Sequence, residues 1–250
     1  TNGDFSEEGS ELVTNGDFDT DSNWSKSGQV TINGGVAYFD SNGTFTQIAQ
    51  TLSGISGKSA KVVIEVTEYT QGTLKVLFSG GAQQNLPTSV GTHTLYFSNV
   101  SSNTLNIARV GGVTNIKIDN VSVKEVGQDW SLVGDFKVNN QEAYITNASQ
   151  YSQLTNQVGV NYLLSGKKYK LELDIETLSI SGALAYRYTG GAIIPILTSD
   201  IQNGKYIAYF TMPSNGYFWL QTTGTYSGLN VNITNISVKE ITDDTNLPRI

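Results

Sequence analysis

The segment Ile118-Asp119-Asn120-Val121-Ser122-Val123-Lys124-Glu125-Val126 reappears 115 positions later as Ile233-Thr234-Asn235-Ile236-Ser237-Val238-Lys239-Glu240-Ile241. Upstream, Trp24-Ser25 reappears 106 positions later as Trp130-Ser131. Self-similarity at a nearly constant offset is typical of repeat architectures. The offset grows in steps that fall near Gly-, Ser- and Asn-rich stretches, where surface loops tolerate insertions. The sequence therefore predicts two copies of one domain.

Hydrophobic residues within each copy recur with a period of two. In Lys168-Tyr169-Lys170-Leu171-Glu172-Leu173-Asp174-Ile175-Glu176, apolar and polar side chains alternate, and Lys61–Glu68 repeats the pattern in the first copy. Such alternation indicates a strand with one buried and one solvated face. Short runs of this kind, separated by glycine-rich breaks, predict an all-β chain of two tandem antiparallel β-sandwich, jelly-roll-like modules.

The repeat boundaries predict the domain organisation. We place repeat A at residues 11–126 and repeat B at residues 128–241. Residues 1–10 are then a remnant of a further repeat or a linker, and residues 242–250 are a tail. The chain starts and stops abruptly, which suggests a part of a longer protein.

Composition argues against several functions. The chain has no cysteine and a net charge of −7. Neither repeat has a basic face, which argues against nucleic-acid binding, and no apolar run is long enough for membrane insertion. His93 is the one histidine and aligns with Tyr206, so no nucleophile and base pair can be built around it. The acidic residues of Lys61–Glu68 and Lys168–Glu176 alternate with lysines, as on a solvated sheet face. We expect no enzymatic activity.

Acidic residues at the two ends of repeat A indicate a metal site. The repeat opens with Asn15-Gly16-Asp17-Phe18-Asp19 and contains Asp119 in its closing segment. Calcium prefers six to eight oxygen ligands of this kind. Repeat B has no Asn-Gly-Asp-Phe opening, and Asp119 becomes Thr234. The alternative is that Asn-Gly-Asp is turn chemistry and Asp119 an ordinary loop residue.

Repeat B is richer in aromatic residues than repeat A. Trp219 replaces Asn106, while Phe218 and Leu220 align with apolar residues of repeat A and are expected in the core. Exposed aromatic rings suit sugar rings or a protein partner. The candidate ligand-binding residues are Tyr186, Tyr188, Tyr217, Trp219 and Tyr226. Packing between modules or subunits explains the same residues equally well.

The opening Leu-Val-x-Asn-Gly-x-Phe-Asp, the nearby Trp24 and the closing Ile-Asp-Asn-Val-Ser-Val resemble the jelly-roll carbohydrate-binding modules attached to xylanases and related glycanases. This resemblance implies a structural calcium in repeat A alone, held by Asp19, the carbonyl of Asp17, and Asp119, with Asp40 as a further ligand. It also implies a polysaccharide partner, from a cell surface or from plants or algae.

The stuttered opening Thr1-Asn2-Gly3-Asp4-Phe5 before Asn15-Gly16-Asp17-Phe18, and the trailing Asp244–Ile250, resemble virion fibre and tail proteins of phages that infect Bacteroidetes-type bacteria. This second resemblance implies a structural and adhesive virion part that binds host glycans weakly and multivalently. It also implies association with other virion proteins and self-association, with a trimer as the expected oligomer. The alternative is an accessory carbohydrate-binding module of a secreted glycoside hydrolase. The expected location is the virion or the extracellular space.

Overall fold

The computed structural model describes residues 3–139, 141–149, 151–156, 162–179, 183–196, 203–223 and 228–242. These residues form β-strands, turns and loops, with no helix among them. Accordingly, no described helix is long and apolar enough to cross a membrane. The fold class is all-β, with antiparallel pairing throughout the described ladders.

The chain divides into two compact units. Module A is Gly9–Val126, and module B combines Thr1–Glu8 with Gly127–Ile250. Module A is thus inserted in the chain of module B. The first eight residues, which the sequence predicted to be a remnant or linker, belong to module B.

Module A contains eleven strands, each named here in chain order. They are β1 (Glu8–Glu11), β2 (Ser25–Ser27), β3 (Val30–Asn33), β4 (Val36–Ser41), β5 (Gln47–Thr51), β6 (Ser59–Gln71), β7 (Leu74–Phe78), β8 (Gln83–Asn85), β9 (Gly91–Phe97), β10 (Thr104–Arg109) and β11 (Thr114–Val126). Sheet A1 has the order β3-β4-β11-β6-β9, with β1 also paired to β11. Sheet A2 has the order β2-β5-β10-β7-β8.

The described part of module B contains ten strands. They are β12 (Trp130–Val133), β13 (Phe136–Val138), β14 (Ala143–Ile145), β15 (Gln153–Asn156), β16 (Lys168–Ser179), β17 (Ala183–Tyr188), β18 (Ile194–Pro195), β19 (Gly204–Thr211), β20 (Phe218–Thr223) and β21 (Asn230–Glu240). Sheet B1 has the order β13-β14-β21-β16-β19, and sheet B2 has the order β12-β15-β20-β17-β18. Each of these strands has its counterpart ten strands earlier, so the two modules share one topology.

Each module buries one apolar core between its two sheets. The core of module A includes Phe39 and Ile64 from sheet A1 and Phe78 and Ile107 from sheet A2. In module B, residues from sheets B1 and B2 form the equivalent cluster. The alternating burial along β6 and β11 shows how the period of two in the sequence produces these faces.

In module A the opening motif locks onto the closing strand. The strand β11 bulges at Asn120, whose φ is 49°, and the next amide, that of Val121, donates a 2.8 Å hydrogen bond to the carbonyl of Gly16. A Cβ on Gly16 would lie 2.0 Å from the Val121 carbonyl oxygen, so only glycine fits. Phe18 then enters the core, with its ring centroid 5.5 Å from that of Trp24.

The same lock exists in module B, with residues from the start of the chain. The amide of Ile236, next to the bulged Asn235 (φ 53°), donates a 2.8 Å hydrogen bond to the carbonyl of Gly3. A Cβ on Gly3 would lie 2.0 Å from the Ile236 carbonyl oxygen. Phe5 is fully buried in the core of module B, 5.7 Å from Trp130 between ring centroids. Module B therefore has an opening motif, contrary to the sequence comparison. Gly3 and Phe5 supply it from the segment that precedes module A in the chain.

Candidate functional site

Trp219 lies on the outward face of sheet B2. Its neighbours in β20, Phe218 and Leu220, are buried in the core. Because successive side chains of a strand point to opposite faces, Trp219 points away from the core and is partly exposed. Its direct cross-strand partners on this face are Thr155 of β15 and Arg187 of β17.

The indole of Trp219 is held in place by its neighbours. Its Nε1–H donates a 2.9 Å hydrogen bond to Oε1 of Gln221, which is 2% exposed. The guanidinium carbon of Arg187 lies 5.4 Å from the indole centroid, a cation–π distance. Gln221 in turn faces Gln153 across the ladder. The outward face therefore combines an oriented aromatic ring with several hydrogen-bonding side chains. Sequence reasoning identified Trp219 alone and missed Arg187, Thr155 and Gln221.

Module A has no equivalent arrangement. In sheet A2, Asn106 occupies the position of Trp219 and pairs with Ala49 and Leu77. The aromatic, cationic and hydroxyl side chains of module B are thus replaced in module A by amide, isobutyl and methyl groups respectively. The outward face of sheet B2 is specific to module B.

Tyr186 and Tyr188 do not lie on this face. Tyr186 is 3% exposed and belongs to the core of module B, and Tyr188 stacks on Phe210 of sheet B1 with a 4.6 Å centroid distance. Burial, with smaller contributions from Tyr206 and Tyr188, raises the pKa of the Tyr186 hydroxyl to about 12. The expectation that Tyr186 is an exposed ligand-binding aromatic is wrong, because the residue occupies an inward position of β17.

The two remaining aromatic candidates differ in what the structure says of them. Tyr217 is half-buried and packs edge-on against Tyr162, which is 52% exposed, at a centroid distance of 5.0 Å. Tyr226 lies outside the described residues. Tyr217 and Trp219 are two residues apart, so their side chains leave the backbone on the same side.

Acidic residues gather where the opening motif of module A meets β11. Asp119 pairs with Glu65 of β6 in the ladder. Burial raises the pKa of the Asp119 carboxyl, the Asn120 amide that it accepts at 2.6 Å lowers it, and the nearby carboxylates of Glu65, Asp17 and Asp19 raise it again. The net shift of the Asp119 pKa is upward, with burial as its largest cause and the three neighbouring carboxylates as smaller ones.

Asp40 lies apart from this group. It pairs with Asn115, whose side-chain amide donates a 3.0 Å hydrogen bond to it. Asn115 precedes Asp119 by four residues along β11, which is roughly 13 Å in an extended strand. The expectation that Asp40 shares a ligand set with Asp119 is therefore wrong.

The corresponding place in module B has fewer charges. Asp4 matches Asp17, but Ser6 stands where module A has Asp19, and Thr234 stands where it has Asp119. The backbone amide and hydroxyl of Ser6 donate to Asp4 and lower the pKa of its carboxyl. Asn235 bridges the site by donating to Asp174 at 2.8 Å. The two modules thus share the backbone pairing between opening motif and closing strand. Module A places more carboxylates beside that pairing than the described part of module B does.

The side chains of module A are not arranged as a finished metal-ligand set. Within the described ranges, no three histidine or acidic side chains are grouped so as to hold a metal ion. Asp17 and Asp19 are exposed, whereas Asp119 is partly buried. The donors have the hard oxygen chemistry that calcium requires, and their mutual repulsion favours a cation.

The other titratable candidates have structural partners. Nε2 of His93 lies 2.6 Å from the carbonyl oxygen of Ser89. On the solvated face of sheet A1, Glu68 forms a 2.7 Å ion pair with Lys117. In sheet B1, Glu172 lies 3.1 Å from the Lys170 ammonium. These pairs explain the alternation of acids and lysines seen in the sequence.

Comparisons with known proteins give weak similarities. No protein-family model and no curated protein matches the sequence significantly. The tandem CBM22-1–CBM22-2 domain of Paenibacillus barcinonensis Xyn10C is 10% identical with a TM-score of 0.34, over 94% of this chain and 98% of that chain. The secreted serine protease VesC of Vibrio cholerae is 8% identical with a TM-score of 0.31, over 82% of this chain and 50% of that chain. The Clostridium perfringens ZmpB M60 catalytic domain with CBM51-1 and CBM51-2 is 6% identical with a TM-score of 0.26, over 81% and 34%. Scores of this size do not establish a relationship, so the architecture rests on the strand pairing of the chain itself.

Proposed function

We propose that this chain is a non-catalytic, extracellular glycan-binding protein whose sugar site is the outward face of sheet B2 around Trp219. The observation that carries the proposal is the fixed, partly exposed indole, oriented by Gln221 and flanked by Thr155. Aromatic faces pack against the apolar faces of sugar rings, while neighbouring hydroxyl and amide groups bond the sugar hydroxyls. The absence of this arrangement from module A marks it as a specialised feature.

The proposal is tested by glycan-array screening followed by affinity electrophoresis of the full chain in gels containing the polysaccharides that score positive. Trp219→Ala should weaken binding by about 2 kcal/mol or more, which is roughly thirtyfold. The matched control is Asn106→Ala at the equivalent position of module A, which should leave migration unchanged. Equal retardation of the wild type and Trp219→Ala would refute this location.

We also propose that calcium binds module A through Asp119, Asp17 and Asp19, with Glu65 close by. The support is the crowding of carboxylates around a partly buried Asp119 and the replacement of Asp19 and Asp119 by hydroxyl residues in module B. The exposed Asp17 and Asp19 would turn toward Asp119, and carbonyl oxygens and water would complete the coordination. The ion would supply the missing positive charge and thereby tie the opening motif to β11.

The virion assignment and the trimer remain predictions. The stutter that suggested a fibre has another explanation in this fold, because Gly3 and Phe5 are the opening motif of module B. Light scattering of the purified chain would test self-association directly.

A further inference from the structure

Arg187 is the one charged residue in the described strands of sheet B2. The other positions of β12, β15, β17, β18 and β20 are apolar, hydroxyl or amide residues. Sheet B1 differs, since charged residues of both signs alternate with apolar residues along β16. The positive charge of Arg187 therefore has no opposite charge in the described strands of its own sheet.

The guanidinium of Arg187 is also short of hydrogen-bond acceptors. Its Nε is buried without a partner, and the described residues provide it with no ion pair. The three cations of the corresponding sheet A2 have acceptors. Arg109 donates to the carbonyls of Thr44 and Gly112 at 2.7 and 2.8 Å, Lys26 pairs with Asp21, and Lys75 donates to the side-chain carbonyl of Gln83 at 2.8 Å. A half-buried guanidinium without acceptors is costly, because charged groups lose hydration when they are buried.

The position of Arg187 links this charge to the proposed sugar site. Arg187 is the cross-strand partner of Trp219 on the outward face, and its guanidinium lies over the indole ring. A guanidinium presents forked N–H donors that match a carboxylate or a sulfate ester, and such charge-assisted bonds are stronger than bonds to neutral hydroxyls. A neutral sugar would leave the fork without an anionic acceptor.

We propose that the outward face of sheet B2 binds acidic glycans, with a carboxylate or sulfate group on Arg187 and the adjoining sugar ring on Trp219. This inference rests on the proposed glycan-binding function and names the class of its ligand. Carboxylate and sulfate share the required chemistry, which is a planar or branched array of anionic oxygens.

The test uses the full chain and pairs of polysaccharides that differ only in charge. Polygalacturonate is compared with its fully methyl-esterified form, and a sulfated galactan with the same galactan after desulfation. Binding is measured by isothermal titration calorimetry at low and high salt. At least one acidic polymer should bind about tenfold or more tightly than its neutral form, and added salt should weaken that preference. The pair that shows the preference identifies the anion as carboxylate or sulfate.

Two substitutions at Arg187 assign the preference to its side chain. Arg187→Gln should reduce binding of the acidic polymer to the level of the neutral one without changing binding of the neutral form. Arg187→Lys keeps the charge but loses the fork, and should retain only part of the preference. Lys75→Gln in sheet A2 is the matched control and should have no effect. Thermal unfolding checks that each variant remains folded.

The outcomes separate this inference from the proposed function. Binding that depends on Trp219 but is equal for acidic and neutral polymers would overturn the acidic class and leave the sugar site standing. The acidic class would likewise be overturned if Arg187→Gln is folded and keeps the full preference. A complete lack of binding to both polymer pairs, together with a negative glycan array, would overturn both.

Discussion

Phe5→Ala is expected to destabilise module B and to leave module A at its original stability. The Phe5 side chain is fully buried in the core of module B and packs against Trp130. Truncation of a buried phenylalanine costs about 3–5 kcal/mol, because the transfer energy of the ring is lost and a cavity remains. A loss of about 4 kcal/mol corresponds to roughly a thousandfold change in the unfolding equilibrium.

Amide hydrogen exchange read by peptide mass spectrometry resolves the two modules, since peptides from 9–126 and 127–242 are distinct. Amides of β16 and β21 that exchange through global opening of module B should lose about three orders of magnitude in protection. Amides of β6 and β11 should keep theirs. Phe18→Ala is the mirror control, because that ring is equally buried in module A. Unchanged protection in β16 and β21, or an equal loss in both modules, would refute the nested connectivity as a source of stability.

Three further predictions concern the junction of the opening motif and the closing strand, and the acid response of each module. Calcium at a hundredfold excess over its Kd should stabilise wild-type module A by about 2.7 kcal/mol, and a chelator should remove this gain. Neither calcium nor the chelator should change the stability of the Asp119→Asn variant. Below about pH 4, module B should lose stability as Asp135 is protonated, because hydrogen bonds from Ser149 lower its carboxyl pKa. The carboxyl pKa of Asp119 is raised, so its protonation should instead stabilise module A as the pH falls toward about 4, with no further gain below that value. Calorimetry of Asp135→Asn and Asp119→Asn separates the two effects. Gly16→Ala should lower the free energy of unfolding of module A by about 1–3 kcal/mol, because the added Cβ would collide with the Val121 carbonyl. The control is Gly111→Ala, whose added Cβ has no atom within 4 Å and should change that free energy by no more than about 0.5 kcal/mol. Urea unfolding measures both.

The architecture was predictable because strands in both modules follow the period of two. The alternation of Lys168–Glu176 corresponds to β16, and the repeated ending corresponds to β11 and β21. The growing offset between the repeats likewise falls between strands. These features depend on local side-chain burial, which the order of apolar and polar residues records directly.

The site was only partly predictable, and Tyr186 shows why. Its counterpart at the offset of this region is Val76, which is buried, so the copy could have revealed its inward position. Aromatic character alone does not distinguish a core ring from a ligand platform. Arg187 carried no such clue, because its significance comes from the lack of any opposite charge across the described strands of sheet B2. Strand order decides which residues share that sheet, and the sequence does not state it.

The nested connectivity, by contrast, could have been inferred by counting. The chain has two closing segments, each with an Asn in the left-handed conformation, and each needs a glycine and a phenylalanine to dock beside it. Two opening motifs exist, at Gly3 and at Gly16, so there is one opening motif for each closing segment. Assigning Gly3 to a third repeat assumed that every module is contiguous in sequence. The closing strand imposes no such condition, because it requires only that the right backbone lie next to its bulge. A fragment cut at 128–241 would therefore lack Phe5, and its stability should recover when residues 1–8 are restored.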